Sequence, residues 1–415
     1  MRQGGRRWRV WSAFLVAVAL GVLVAALWMY ARSGFGALAG ISSSSMAVHM
    51  DFDVFWHSAR ALLEGRSLYF DTGGPDSSTN PPFWTVLISP LGLLEPLTAY
   101  RSFVLITVLA SVISLAWMTG ELRMRSGWAI FGVGMLLFSS PLLGTLALGQ
   151  MYPLLTLGLV AAWVADHRGR LKLSGVALGL VVAVKPLLAP VILWPLARRR
   201  WATLVAALVS GAVAALVGIV VAGPSALLDW LRYVGERRPD GYWDNNTLPG
   251  AAARLFREND FVEPVVTLPW LEPVAYVLGV GIVLLTAFRA RRGSEAGLWA
   301  LVAASLLVSP IAWHNYLLLL GPGILLLMAR GRMALALLLL TLQLIPPQWS
   351  EPWRGESTVL AALALTFYFY VLVVHWVAFL TYREEAVEDP TTTGIDQGVL
   401  REQKPSSPGT EPSSP

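Results

Sequence analysis

"HRGRLKLSGVALGLVVAVKPLLAPVILWPLARRRW", residues 167 to 201, is an apolar run held between two basic clusters. Positive charge beside membrane segments stays on the cytosolic side. One helix through 173–197 would therefore put one cluster on the wrong side. Two short helices, rising through "SGVALGLVVAV" and returning through "LLAPVILWPLA", keep both basic ends together. Lys185 and Pro186 then occupy the outer tip of a hairpin that carries no other charge from Ser174 to Ala197.

The rest of the chain reads in the same way. Of 415 residues, 55% are hydrophobic and only 14% charged, and the mean hydropathy is +0.60. Soluble domains carry about a quarter charged residues, so the composition specifies an integral membrane protein. Backbone groups in lipid must be satisfied within their own segment, which leaves helices or a closed barrel. Runs such as "VWSAFLVAVALGVLVAALWMY" lack the alternation of barrel strands, so the expected class is all-α and polytopic. Eighteen tryptophans suit the two interfacial belts. The net charge of +5 sits in short loops between apolar runs and is read as orientation rather than nucleic-acid binding. With no cysteine, disulfides, thiolate nucleophiles and Cys-ligated metals are excluded.

Alternating apolar runs with basic loops gives a topology of about twelve spans with both termini cytoplasmic. The basic "MRQGGRRWRV" precedes an uncleaved first helix near 10–30. "PPFWTVLISPLGLL", at 81–94 and broken by Pro90, is short enough to be interfacial or re-entrant. Further helices are expected near 101–119, up to "LGQMYP", down to "DHRGRLK", through the hairpin, and at 201–222. The remainder fall near 273–289, 296–313, 315–329, 332–346 and 357–381. Residues 31–100 and 223–272 form external loops of one transmembrane domain, 1–382. The Pro/Ser/Thr-rich stretch 383–415 reads as a disordered cytoplasmic tail. No repeat of fixed period and no symmetry between halves is visible, unlike many secondary transporters.

This topology puts Asp51, Asp53, His57, Asn80, Gln150, Lys185, Asn246 and His314 on the outer face. Ionisable groups near membrane depth are functional candidates because burying them is costly. Plain structural roles compete. Asp51 and Asp53 suit the first turn of a helix through "FWHSARALLEG", and only one of two residues at i and i+2 can face a given site. Lys185 could snorkel, His314 could bond to backbone, and Asn80 and Gln150 could cap helices. His49, His167 and His375 read as structural. A carboxylate, a lysine and a histidine on one face suit group transfer from a phosphate-bearing donor, with the carboxylate as general base and the cations neutralising the departing charge. They suit an anion transporter equally, although the polar set is confined to one face rather than lining a path.

The blocks "MDFDVFWHSARALLEGRSLY", "NPPFWTVLISPLGLLEPL", "LGQMYPLLTLGLVAAW", "LSGVALGLVVAVKPLLAPVILWPLARRRW", "NNTLPGAAARLF" and "LVSPIAWHNYLLLL" resemble, in this order, the polytopic glycosyltransferases of family 87, polyprenol-phosphate-mannose-dependent enzymes of the GT-C superfamily. The first block of that family reads D-F-x-V-Y, so Asp51 rather than Asp53 matches its aspartate, with Phe55 in place of tyrosine. Gln150 matches the glutamine of the G-Q block and Lys185 the lysine of a K-x-x-P-like block, here followed directly by proline. Asn246 and Arg254 match the loop block, and His314 matches the S-P-x-x-W block.

The resemblance implies a GT-C fold with short juxtamembrane helices in its external loops. It implies transfer of a sugar, mannose by the family's habit, from a polyprenyl-phosphate donor to a glycolipid or polysaccharide acceptor. The reaction would run with inversion on the extracytoplasmic side of the plasma membrane. Asp51 is the expected base. Lys185, His314 and Arg254 are expected to hold the donor phosphate, and Asp53, His57, Asn80, Gln150 and Asn246 to contact substrate. No cofactor is expected. A divalent cation on "DFD" is not favoured, because the cationic side chains can do that work. The alternatives are a lipid-linked glycan polymerase or ligase, and a transporter or flippase of a lipid-linked anion.

Overall fold

The computed structural model describes residues 14–382 apart from 15, 30–35, 71, 75–77, 292 and 357. The basic N-terminus and the tail at 383–415 thus lie outside the described residues. Those described are helical, with no strand among them. In chain order the α-helices are α1 (Val16–Met29), α2 (Gly36–Ser42), α3 (Met50–Leu63), α4 (Pro82–Ile88), α5 (Pro96–Glu121), α6 (Ser126–Leu137), α7 (Ser140–Leu148) and α8 (Tyr152–His167). They continue as α9 (Leu171–Val184), α10 (Leu193–Ala197), α11 (Trp201–Ala222), α12 (Pro224–Gly235), α13 (Leu248–Phe256) and α14 (Leu271–Ala290). The last five are α15 (Gly297–Val308), α16 (Gly321–Ala329), α17 (Met333–Leu342), α18 (Val359–Ala364) and α19 (Phe367–Thr381).

At 1.5 Å per residue, the 26 residues of α5 reach about 39 Å, more than the roughly 30 Å hydrocarbon core. By length and composition α5, α11, α14 and the α18–α19 run can each cross a bilayer, and six spans result if the bent pairs α6–α7 and α17 with Pro347–Trp353 count once each. The expected twelve are not all of that length, because several apolar runs fold into helices of 10–17 residues. Proline causes most of the shortening. Pro141 starts α7 after a 45° bend, and α17 gives way to a 3-10 turn that begins at Pro347, bent by 63°. The stretch expected to be interfacial or re-entrant is short as read: α4, then a 3-10 turn over Ser89–Leu93.

The hairpin reading of 173–197 has a geometric counterpart. A Cβ on Gly175 would fall 2.2 Å from the Thr203 carbonyl, and one on Gly179 the same distance from the Ala207 carbonyl. Four residues along α9 match four residues along α11 in the same sense, so the two helices run parallel. The segment between them, a 3-10 turn over Pro186–Ile192 and then α10, must return the chain. The small residues at spacing four allow the backbones to approach this closely, as in membrane helix pairs generally.

The basic loops meet at one end of the bundle. Arg168 pairs with Glu121 at 2.5 Å, Arg198 with Asp166 at 2.6 Å and Arg330 with Glu295 at 2.6 Å. The Trp163 indole donates to the Glu295 carbonyl at 2.9 Å. These contacts join the loops at Glu121, Arg168, Arg198, Glu295 and Arg330, directly or through the end of α8. At the centre, α15 is buried from Gly297 to Leu307, as a helix apolar on every side should be. α11, by contrast, turns Val205, Leu208, Leu216 and Val220 outward, a surface that only lipid would match.

Candidate active site

At the end opposite the basic loops, the connections before α3, before α4, between α7 and α8, after α9, after α11 and after α15 converge. They enclose a cavity of about 280 Å³ whose lining includes Asp51, Asn80, Gln150 and Lys185. Four of the expected site residues, separated by up to 134 positions in the sequence, thus share one space.

Asp51 stands in the first turn of α3, where the helix dipole favours a carboxylate. The helix is anchored by His49, whose Nδ1 lies 2.7 Å from the Ala147 carbonyl and whose ring stacks on Tyr100 at 3.5 Å. Gly149, at φ +73°, closes α7 in the left-handed region. A Cβ there would lie 2.5 Å from the Phe52 Cβ. Only glycine permits that turn and that approach, and the contact of residues 52 and 149 is what sets Asp51 beside Gln150. Asp53, two residues on, points elsewhere and meets His57 at 3.7 Å. Burial raises its pKa and the nearby His57 opposes the rise. Neither Asp53 nor His57 lines the cavity. Both are expected substrate contacts, and the structure pairs them with each other outside the cavity.

Pro186 disfavours helical backbone at the residue before it. Lys185 accordingly leaves the helix at φ −137°, ψ 86° and turns its side chain into the cavity. Its ammonium donates to Asn80 Oδ1 at 2.8 Å and lies 5.6 Å from the centroid of the Tyr316 ring. The Asn80 amide is oriented in turn, with Nδ2 donating to Ser78 Oγ at 3.2 Å and the backbone carbonyl accepting from the Tyr69 hydroxyl at 2.9 Å. Gln150 is buried, and its Oε1 has no hydrogen-bond partner among the described residues.

Three expected ligands lie elsewhere. Arg254 is fully buried, with Nε donating to the Gly241 carbonyl at 3.0 Å, Nη2 to the Asn245 carbonyl at 2.7 Å and Nη1 to Thr366 Oγ1 at 3.3 Å. Burial pushes its pKa down to about 10 against the pull of Asp240 and Asp244. His314 sets Nδ1 2.8 Å from Asp244 Oδ2, and its backbone N–H donates to Asp244 Oδ1 at 3.2 Å. Asn246 donates from Nδ2 to the Trp313 carbonyl at 3.1 Å and from its backbone N–H to the Ala312 carbonyl at 2.8 Å. None of the three lines the cavity. Asn246 and His314 fasten the 240–247 loop to the strip 310–316, which presents Trp313 and Tyr316 to the cavity, while Arg254 ties that loop to α13 and to Thr366.

Sequence reasoning missed Tyr152, Trp230, Arg237, Trp313 and Tyr316, all lining residues, and Asp244, the partner of His314. Tyr152 was visible two residues after Gln150; its ring lies 4.1 Å from that of Tyr316. Arg237 was hidden by an adjacent arginine, Arg238. Chemically, the cavity offers a carboxylate able to take a proton, a buried ammonium able to offset negative charge, and amide and aromatic groups suited to a sugar.

The model of glycosyltransferase family 87 matches residues 79–310, more than half of the chain. The chain belongs to glycosyltransferase family 87. Within the family match stand Asn80, Gln150 and Lys185, while Asp51 precedes it. A polyprenol-phosphate-mannose-dependent alpha-(1-2)-phosphatidylinositol mannoside mannosyltransferase of Mycobacterium tuberculosis is 28% identical over 411 residues, covering 89% of this chain and 94% of that protein. An alpha-(1->3)-arabinofuranosyltransferase of Corynebacterium glutamicum is 25% identical over 278 residues, covering 64% of this chain and 62% of the other. Among solved structures, ArnT from Cupriavidus metallidurans bound to undecaprenyl phosphate aligns at a TM-score of 0.41 and 15% identity, over 89% of this chain and 76% of that one.

Proposed function

We propose that this family 87 protein transfers a sugar, mannose in the first instance, from a polyprenyl-phosphate donor to a hydroxyl of a glycolipid or polysaccharide acceptor. One observation carries the proposal: Asp51 and Lys185 line one cavity at the end of the bundle away from the basic loops. The acceptor oxygen attacks the anomeric carbon from the face opposite the phosphate. The bond from that carbon to the phosphate oxygen breaks, the electron pair leaves with the polyprenyl phosphate, and Asp51 takes the acceptor proton. Lys185, steadied by Asn80, offsets the charge growing on the leaving phosphate. Gln150 and the aromatic walls hold the sugar. Because basic loops stay on the cytosolic side, the cavity opens to the extracytoplasmic side of the plasma membrane. The chemistry needs no cofactor, since side chains supply both base and cation.

The test uses the full chain in liposomes with polyprenyl-phosphate-mannose. Asp51→Asn should insert and fold normally yet transfer nothing, while Asp53→Asn retains most activity. Turnover by Asp51→Asn at the wild-type rate would overturn the assignment. Running polyprenyl-phosphate-arabinose beside the mannose donor decides between hexose and pentose.

A further inference from the structure

Among the described residues, the cations that line the cavity are Lys185 and Arg237. The donor phosphate, a diester with one charge, leaves as a monoester with two. We propose that Arg237 is the second group that contacts this phosphate, at the mouth of the cavity, with Lys185 at its buried end. The inference rests on the lipid-phosphate donor proposed above.

Position argues for it. Trp230 and Val234 line the cavity from one face of α12, and Arg237 lines it from the chain just past that helix's end. α12 begins directly after the turn at Gly223, which closes the lipid-facing α11. Its other face exposes Leu228 and Leu231, by 67% and 52%, which suits a helix lying in the membrane surface. Its roofing face is fixed where the Trp230 indole donates to the Thr79 carbonyl at 3.1 Å, one residue from Asn80. On this proposal Arg237 sits at headgroup depth, where the phosphate of a lipid must sit when its tail is in the bilayer. The guanidinium lies 4.7 Å from the centroid of the Tyr233 ring and also donates to its hydroxyl. A planar fork so held fits phosphate oxygens in pairs.

The experiment measures binding of undecaprenyl phosphate and of undecaprenol, which lacks the phosphate, to the full chain in nanodiscs. Wild type, R237Q and R237K are compared. R237Q should weaken undecaprenyl phosphate roughly tenfold, as loss of a charge-assisted contact does, and leave undecaprenol unchanged, with R237K in between. Equal affinity of R237Q and wild type for undecaprenyl phosphate would overturn the role of Arg237 while the donor assignment stands. A raised KM for the acceptor alone would do the same. Should wild type bind undecaprenyl phosphate no better than undecaprenol, both fall.

Discussion

The Lys185 ammonium donates to Asn80 Oδ1 at 2.8 Å, joining segments 105 residues apart at the wall of the cavity. A buried cation with one side-chain acceptor among the described residues depends on it. Asn80→Ala should lower kcat for sugar transfer at least tenfold, because a hydrogen bond to a charged group is worth about 1.5–3 kcal/mol. Asn80→Asp should be as poor, since an ion pair would hold Lys185 in place but cancel the charge meant for phosphate. Wild-type kcat in both variants would show that the contact is incidental.

Gly149 offers a test of positioning. Alanine there meets both the left-handed backbone, which costs about 1–2 kcal/mol, and the Phe52 Cβ at 2.5 Å. α3 must then move away from Gln150 and carry Asp51 with it. A misplacement of about 1 Å can cost on the order of a hundredfold in rate, so Gly149→Ala should lose about that in kcat while still inserting. Assay in liposomes, with circular dichroism as the control for folding, checks it.

Arg254 should behave as a structural residue. Arg254→Met leaves the carbonyls of Gly241 and Asn245 without their donor, and unpaired buried groups cost about 1–3 kcal/mol each. We expect a fall in thermal midpoint together with an unchanged donor KM in the protein that remains folded. A raised donor KM at unchanged stability would restore it as a phosphate ligand.

These outcomes bear on what was legible beforehand. Lys185 could be found because it is the lone charge in a long apolar stretch. The i, i+2 spacing showed that only one of Asp51 and Asp53 faces a given site, and the resemblance to the D-F-x-V-Y block picked Asp51. Arg254 entered through the resemblance to the family's loop block, and His314 as a histidine on the outer face. Neither signal shows that Arg254 bonds backbone carbonyls and His314 the Asp244 carboxylate. Those partners depend on the path of the 240–247 loop, which no local pattern encodes. The helix hairpin was legible from charge alone. Span length was not, since residues such as Pro141 and Pro347 break apolar runs at points that hydropathy passes over.

Asp53 carries a pH signature. Burial holds its folded-state pKa above the ordinary 3.8, so the folded protein disfavours the charged form. The resulting penalty is absent below the ordinary pKa and sets in as pH rises through the window just above it. Asp53→Asn should therefore match wild type in stability near pH 3.5 and equal or exceed it at pH 7. Thermal unfolding across that range checks the sign. A neutral-pH loss in Asp53→Asn would mean that the His57 contact outweighs burial.

The close seating of α9 on α11 is equally exposed to test. A Cβ on Gly179 would stand 2.1 Å from Ser210 Oγ and 2.2 Å from the Ala207 carbonyl. Gly179→Leu should destabilise the protein by at least the 1–3 kcal/mol of an overpacked core, seen as a lower yield of monodisperse protein. Gly120→Leu, where added bulk meets open space, should be harmless.

The strip at 310–316 is the last wall of the cavity to leave the ribosome, and the 240–247 loop has to wait for it. A chain cut short of Pro310 would lack Pro310, Ile311, Trp313 and Tyr316 from the wall of that space.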